Sequence, residues 1–91
     1  MSIIEKIRQR IRDRSYYLSG HAEEEMAEDG FERDDVENAI LDGVISRKLT
    51  EDSRGARYRI EGPATDGRLM DVLCRFREDG NPIIITVYAK D

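Results

Sequence analysis

The sequence predicts an α+β fold in which N-terminal helices pack on a four-stranded antiparallel sheet. Three observations carry this expectation. Up to Leu41 the apolar residues recur every three to four positions, from Val44 the period drops to two, and short turns join the strand-like runs. Ninety-one residues are enough for one modest core, so a single domain over 1–91 is expected.

The first element is an amphipathic helix over 1–14. Ile3, Ile4, Ile7 and Ile11 form its apolar stripe, and Lys6, Arg8, Arg10, Arg12 and Arg14 fall between them. A second helix is expected from about Ser19 to Asp29. Ser19 is a good N-cap, Glu23 to Glu25 favour the positive end of the helix dipole, and Gly30 is a natural stop. A third fits Arg33 to Leu41, with Val36, Ala39 and Ile40 inward and Asp42-Gly43 ending it.

Strands are then expected over 44–50, 56–62, 69–77 and 83–89. The turns between them are Ser53-Arg54-Gly55, the loop holding Pro63 and Asp66-Gly67, and Glu78-Asp79-Gly80-Asn81. Such short connections imply a meander. Alternation puts Tyr58 and Ile60, then Met70, Val72, Cys74 and Phe76, then Ile83, Ile85 and Val87 toward the helices. The opposite face receives Arg57, Arg59, Asp71, Leu73, Arg75, Arg77, Ile84, Thr86, Tyr88 and Lys90. A solvated sheet face is seldom so mixed. Arginines beside apolar and aromatic residues suit a surface that grips phosphates and a base.

Charge is segregated along the chain. Residues 1–14 carry +3, residues 15–43 carry −9 and residues 44–91 carry +1, for a net charge of −5. Attraction to nucleic acid is therefore expected of local surfaces, not of the whole protein. Only 38% of the residues are apolar, yet their periodicity argues against disorder. No run approaches a membrane span and the first residues lack a signal-peptide pattern, so a cytoplasmic setting with no membrane partner is expected. Cys74, the single cysteine, cannot form an internal disulfide, and one cysteine with one histidine cannot build an ordinary zinc site. No metal and no cofactor are expected. There is no glycine-rich phosphate loop and no Gly-x-Ser-x-Gly elbow.

The one histidine, His21, opens the acidic second helix. Histidine is the usual proton carrier near neutral pH, so His21 is the candidate general acid or base; the alternative is a helix-capping histidine bonded to a neighbouring strand. Arg57 and Arg75 are candidates to hold one phosphate, since the planar guanidinium fork suits it; the alternative is pairing with Asp71 or Glu61. Tyr88 is a candidate stacking or proton-donating group. Arg59, Asp71, Thr86 and Lys90 complete the candidate binding face, with Arg59 and Arg77 further along and expected in solvent.

His21 leading a helix, the Gly30-Phe31 break, a helix ending in Asp42-Gly43, Arg57-Tyr58, Asp66-Gly67-Arg68 and the terminal Ile84-Ile85-Thr86-Val87-Tyr88 together resemble the domain-of-unknown-function 4258 family, over about residues 16–90. That family is similar to the RelE/ParE-like toxins, small helix-then-sheet proteins many of which cleave RNA. The resemblance implies a toxin-like role, and joined to the candidate residues it leads to the expectation of a metal-independent endoribonuclease acting on RNA, with His21, Arg57, Arg75 and Tyr88 as catalytic residues. It also implies an antitoxin partner of the zinc-finger type. Many family members carry arginines on the histidine helix, where this chain has Glu25 and Asp29. The other reading of the same face is a non-catalytic module that binds protein or nucleic acid.

Overall fold

The computed structural model describes residues 1–50, 53 and 55–90. Among them, α1 (Ile3–Arg12), β1 (Tyr17–Leu18), α2 (Gly20–Asp29), α3 (Arg33–Asp42), β2 (Val44–Leu49), β3 (Arg57–Pro63), β4 (Leu69–Phe76) and β5 (Pro82–Ala89) follow in order. Arg54, in the turn expected at 53–55, lies outside the described residues.

The class is α+β, but the sheet is mixed and has five strands, in the order β1-β5-β4-β3-β2. Strands β2 to β5 form the expected antiparallel meander. The additional strand, β1, runs parallel to β5, with Tyr17 opposite Ile83 and Leu18 opposite Ile84. Two residues display no period, and their partner lies far along the chain, so local pattern does not reveal them.

Helix α1 starts at Ser2, whose side chain accepts from the Glu5 N–H, and ends at Arg12, two residues earlier than expected. Arg14 adopts a left-handed conformation, φ 56°, which turns the chain so that Tyr16 enters the core. Ile7 and Ile11 are fully covered. Arg8 donates to the carbonyls of Ile40 and Gly43 at 3.4 and 2.6 Å, meeting acceptors that the end of α3 leaves open. In α2 the Ser19 hydroxyl caps the Ala22 N–H at 3.0 Å and Gly30 closes the helix at φ 71°. Helix α3 packs against β3 so closely that a Cβ at Gly62 or Gly43 would collide with the Ala39 carbonyl oxygen.

The core joins Ile7, Ile11, Met26, Val36 and Ile40 from the helices to Tyr58, Ile60, Met70, Val72, Ile84 and Val87 from the sheet. Alternation in β3 and β4 is as expected. Burial pushes the Cys74 thiol up to about 12, so this cysteine is an inert core residue. Strand β5 departs from simple alternation. Leu73 faces Thr86 but Cys74 faces Ile84, so Ile85 is an extra residue and the strand carries a bulge. Beyond it the parity reverses. Ile84 is fully buried, Ile83 faces Arg75 on the outer side, and Ile85 is half-buried. The inward set in β5 is therefore Pro82, Ile84 and Val87, not Ile83, Ile85 and Val87.

Candidate functional site

The face of the sheet turned away from the core is ordered into cross-strand rows. In the first, Leu49 faces Arg57, Arg57 faces Arg75, Arg75 faces Ile83, and Ile83 faces Tyr17. The second runs Arg47, Arg59, Leu73, Thr86, and the third Val44, Glu61, Asp71, Tyr88. Lys90 follows beyond Tyr88. The rows are spaced by two residues, about 7 Å along a strand.

Arg57 and Arg75 are thus direct cross-strand neighbours. Two guanidinium groups placed opposite each other put a local concentration of positive charge on this row. Apolar Leu49 and Ile83 flank the pair in its row. Arg59 donates from Nε to the Ser46 hydroxyl at 3.1 Å, an exposed bond that lays it along the sheet. Arg77 is likewise engaged. Its guanidinium sits 4.4 Å above the Tyr17 ring, and the Tyr17 hydroxyl donates to Asp79 at 2.6 Å, which ties β1 to the β4–β5 turn. That bond to Asp79 raises the Tyr17 phenol and lowers the Asp79 carboxyl. An open cavity of about 420 Å³ beside this cluster is lined by Arg75, Arg77, Glu78 and Asp79.

The third row has a different character. Lys90 forms an ion pair with Glu61 and stands 4.0 Å from Asp71 Oδ2. Glu61, then Asp71, raise the Lys90 ammonium above its ordinary value. Asp71 is 3% exposed although it is on the outer face, while the Tyr88 ring opposite it is 38% exposed. Thr86 lies one row nearer the arginines. Tyr88 is four residues along the sheet from the Arg75 row, about 13 Å by strand rise.

His21 is off the sheet, in the first turn of α2, with Nε2 3.4 Å from Glu25 Oε1. The same carboxylate oxygen accepts the Val87 N–H at 3.1 Å, and Asp29 accepts the Ala89 N–H at 3.3 Å. Ser19 donates from N and Oγ to the carbonyls of Ile84 and Ile85. Helix α2 therefore takes over the edge of β5 where two-residue β1 stops. Glu25 and Asp29 thus have a structural use, as acceptors for the β5 edge. Among the described residues His21 is linked to the strand through Glu25.

Of the expected catalytic residues, the fold makes neighbours of Arg57 and Arg75, places Tyr88 two rows away and sets His21 on the edge. Sequence reasoning missed Arg47, which a register shift near Ser46 turns onto the arginine face. It also missed Tyr17, which the unrecognised β1 brings to the first row. Among the described residues no three His, Cys, Asp or Glu side chains gather as a metal site, and no helix is long and apolar enough to cross a membrane.

The molecule is a small α+β protein with one sheet face clothed by helices and the other presenting rows of arginine. A family profile described as a domain of unknown function (DUF4258) matches residues 18–89, and the chain belongs to that family. The match leaves out α1 and Tyr17. Comparisons with curated proteins and with solved structures give no match.

Proposed function

We propose that the outer sheet face binds RNA and that the protein is a toxin-like endoribonuclease working without a metal. The observation that carries this reading is Arg57 facing Arg75 across β3 and β4, with Arg47 and Arg59 in the adjoining row. Four guanidinium groups on one face draw in a polyanion despite the net charge of −5, much of which belongs to the α2–α3 segment. A phosphodiester lying across β3 and β4 would meet both the Arg57 and the Arg75 guanidinium groups. Attack of the adjacent 2′-hydroxyl oxygen on phosphorus forms a cyclic phosphate and breaks the bond to the 5′-oxygen. The paired arginines stabilise the negative charge that builds on the phosphoryl oxygens. A base must take the 2′ proton and an acid return one to the leaving 5′-oxygen; His21 and Tyr88 are the candidates for these roles and would have to approach the arginine row to fill them. A zinc-finger antitoxin is the partner this reading calls for.

Two observations favour the second reading, a non-catalytic binding module: His21 is paired with Glu25 at the sheet edge, and Tyr88 is two rows from Arg57 and Arg75. Induced expression in bacteria, with and without the cognate neighbour, separates the two when combined with RNA cleavage by purified protein. Slowed growth and products ending in cyclic phosphate support the nuclease, and Arg57→Ala then abolishes both. Toxicity that persists alike in Arg57→Ala, Arg75→Ala and His21→Ala rules out the mechanism. RNA bound without cleavage identifies the module.

A further inference from the structure

The third row of the outer face holds a buried carboxylate with an unmet acceptor. Asp71 is 3% exposed, and among the described residues its Oδ1 accepts no hydrogen bond. Buried charged acceptors are ordinarily satisfied, so an orphan oxygen on a candidate binding face points to a missing donor. A cation is not what the row lacks, because the Lys90 ammonium already bridges toward Glu61 and Asp71. Directly across the ladder is Tyr88, with its ring partly open to solvent. A carboxylate in need of N–H donors beside an aromatic ring suits a stacked nucleobase read on its Watson–Crick edge. Guanine presents a ring N–H and an exocyclic amine side by side, matching the two carboxylate oxygens. Adenine and cytosine set their amine next to an acceptor nitrogen, which a carboxylate repels, and uracil offers one N–H between two carbonyls.

We propose that Asp71 and Tyr88 form a guanine subsite on the RNA-binding face, a specificity that rests on the RNA reading above and adds the identity of one base to it. Lys90, exposed and 4.0 Å from Asp71 Oδ2, is the side chain that moves to admit the base. A guanidinium from a cationic protein also matches a carboxylate beside an aromatic ring. Arg47, Arg57, Arg59 and Arg75 on the same face repel such a partner and attract a polyanion.

The test is fluorescence anisotropy with short labelled oligouridylates that carry one central guanosine, inosine, adenosine or cytidine. The wild-type protein is expected to bind the guanosine RNA about tenfold more tightly than the adenosine RNA, the low end of one bidentate base contact, with inosine between them. Asp71→Asn is expected to erase the preference among the four RNAs, and Arg57→Ala to weaken all the RNAs alike. Equal binding of every RNA by the wild type, or a preference surviving in Asp71→Asn, overturns the subsite and leaves the RNA reading standing. Binding of none overturns both. Amide chemical shifts of the wild type avoid dependence on the variant's folding: guanosine monophosphate, and not adenosine monophosphate, should shift Asp71 and Tyr88. Shifts there by both nucleotides, or by N-acetylarginine amide in place of guanosine monophosphate, overturn the proposal, the latter in favour of a cationic protein partner.

Discussion

Asp35 accepts two hydrogen bonds from Thr65, one from its N–H at 2.9 Å and one from its hydroxyl at 2.6 Å, while a third arrives from the Glu32 N–H at 2.8 Å. One carboxylate thereby caps α3 and fastens it to the β3–β4 loop. The Thr65 hydroxyl, then the Glu32 N–H, hold the Asp35 carboxyl below its ordinary 3.8. A depressed folded-state value adds stability above the unfolded value and loses it as pH falls through the folded one. Asp35→Ala should cost about 1–3 kcal/mol at neutral pH, because three part-buried hydrogen bonds to one charged acceptor are lost. Urea unfolding from about pH 6 down to about pH 2 should show a gap between parent and variant that narrows toward the acid end. Asp79, also lowered, is exposed and present in both proteins, so its contribution cancels, whereas Asp66 feels the Asp35 charge and adds to the difference.

The bulge in β5 makes a prediction opposite to simple alternation. Ile84→Ala should cost about 2–5 kcal/mol, since Ile84 is fully buried, whereas Ile83→Ala should cost under about 1 kcal/mol. Val72→Asp should abolish folding, because an unpaired core carboxylate costs several kcal/mol, a large part of a small domain's stability. Thermal melts of the three variants check the assignment. An Ile83→Ala loss larger than that of Ile84→Ala would place the bulge elsewhere.

The helices and the parity of β3 and β4 were legible because each segment alternates without interruption: Tyr58 and Ile60 against Arg57 and Arg59, Met70 and Val72 against Asp71 and Leu73. The run Ile83-Ile84-Ile85 is apolar at every position, so nothing in it marks the residue that bulges. Strand β1 is too short to have a period. The arginine pair was readable from residue type and parity alone. The placement of His21 was not, because it depends on where β1 stops and on Glu25 reaching the exposed edge of β5.

Gly62 and Gly43 lie where α3 meets β3, and the obstacle to a side chain at either is the backbone carbonyl of Ala39, which cannot swing aside. Gly62→Ala and Gly43→Ala should each separate helix from strand. The expected loss is at least about 1–3 kcal/mol, as for an overpacked core. Gly20, with nothing near its missing Cβ, is the matched control, and Gly20→Ala should melt within about 0.5 kcal/mol of the parent.

Glu25 and Asp29 act as surrogate strand partners for the free edge of β5. Removing both, in Glu25→Ala with Asp29→Ala, should speed hydrogen exchange at the Val87 and Ala89 amides, while the Val72 amide in the sheet interior keeps its protection. The global loss should be about 1–3 kcal/mol, from hydrogen bonds to charged acceptors. Unchanged exchange at Val87 and Ala89 would mean that something other than α2 protects this edge.

If the arginine rows bind an RNA backbone, the contact must respond to salt. Each phosphate neutralised on a single strand contributes about 0.7 to the slope of log affinity against log salt. Arg57→Ala and Arg75→Ala should each lower that slope by about this amount and weaken binding uniformly across RNA sequences. Arg33 provides the control, being an exposed arginine on α3 that lies 5.3 Å from the Tyr16 ring on the helical side. Arg33→Ala should leave the slope unchanged. Equal slopes for all three variants would remove Arg57 and Arg75 from the phosphate contact, whatever their effect on growth, because their cross-strand pairing predicts that both touch the backbone together.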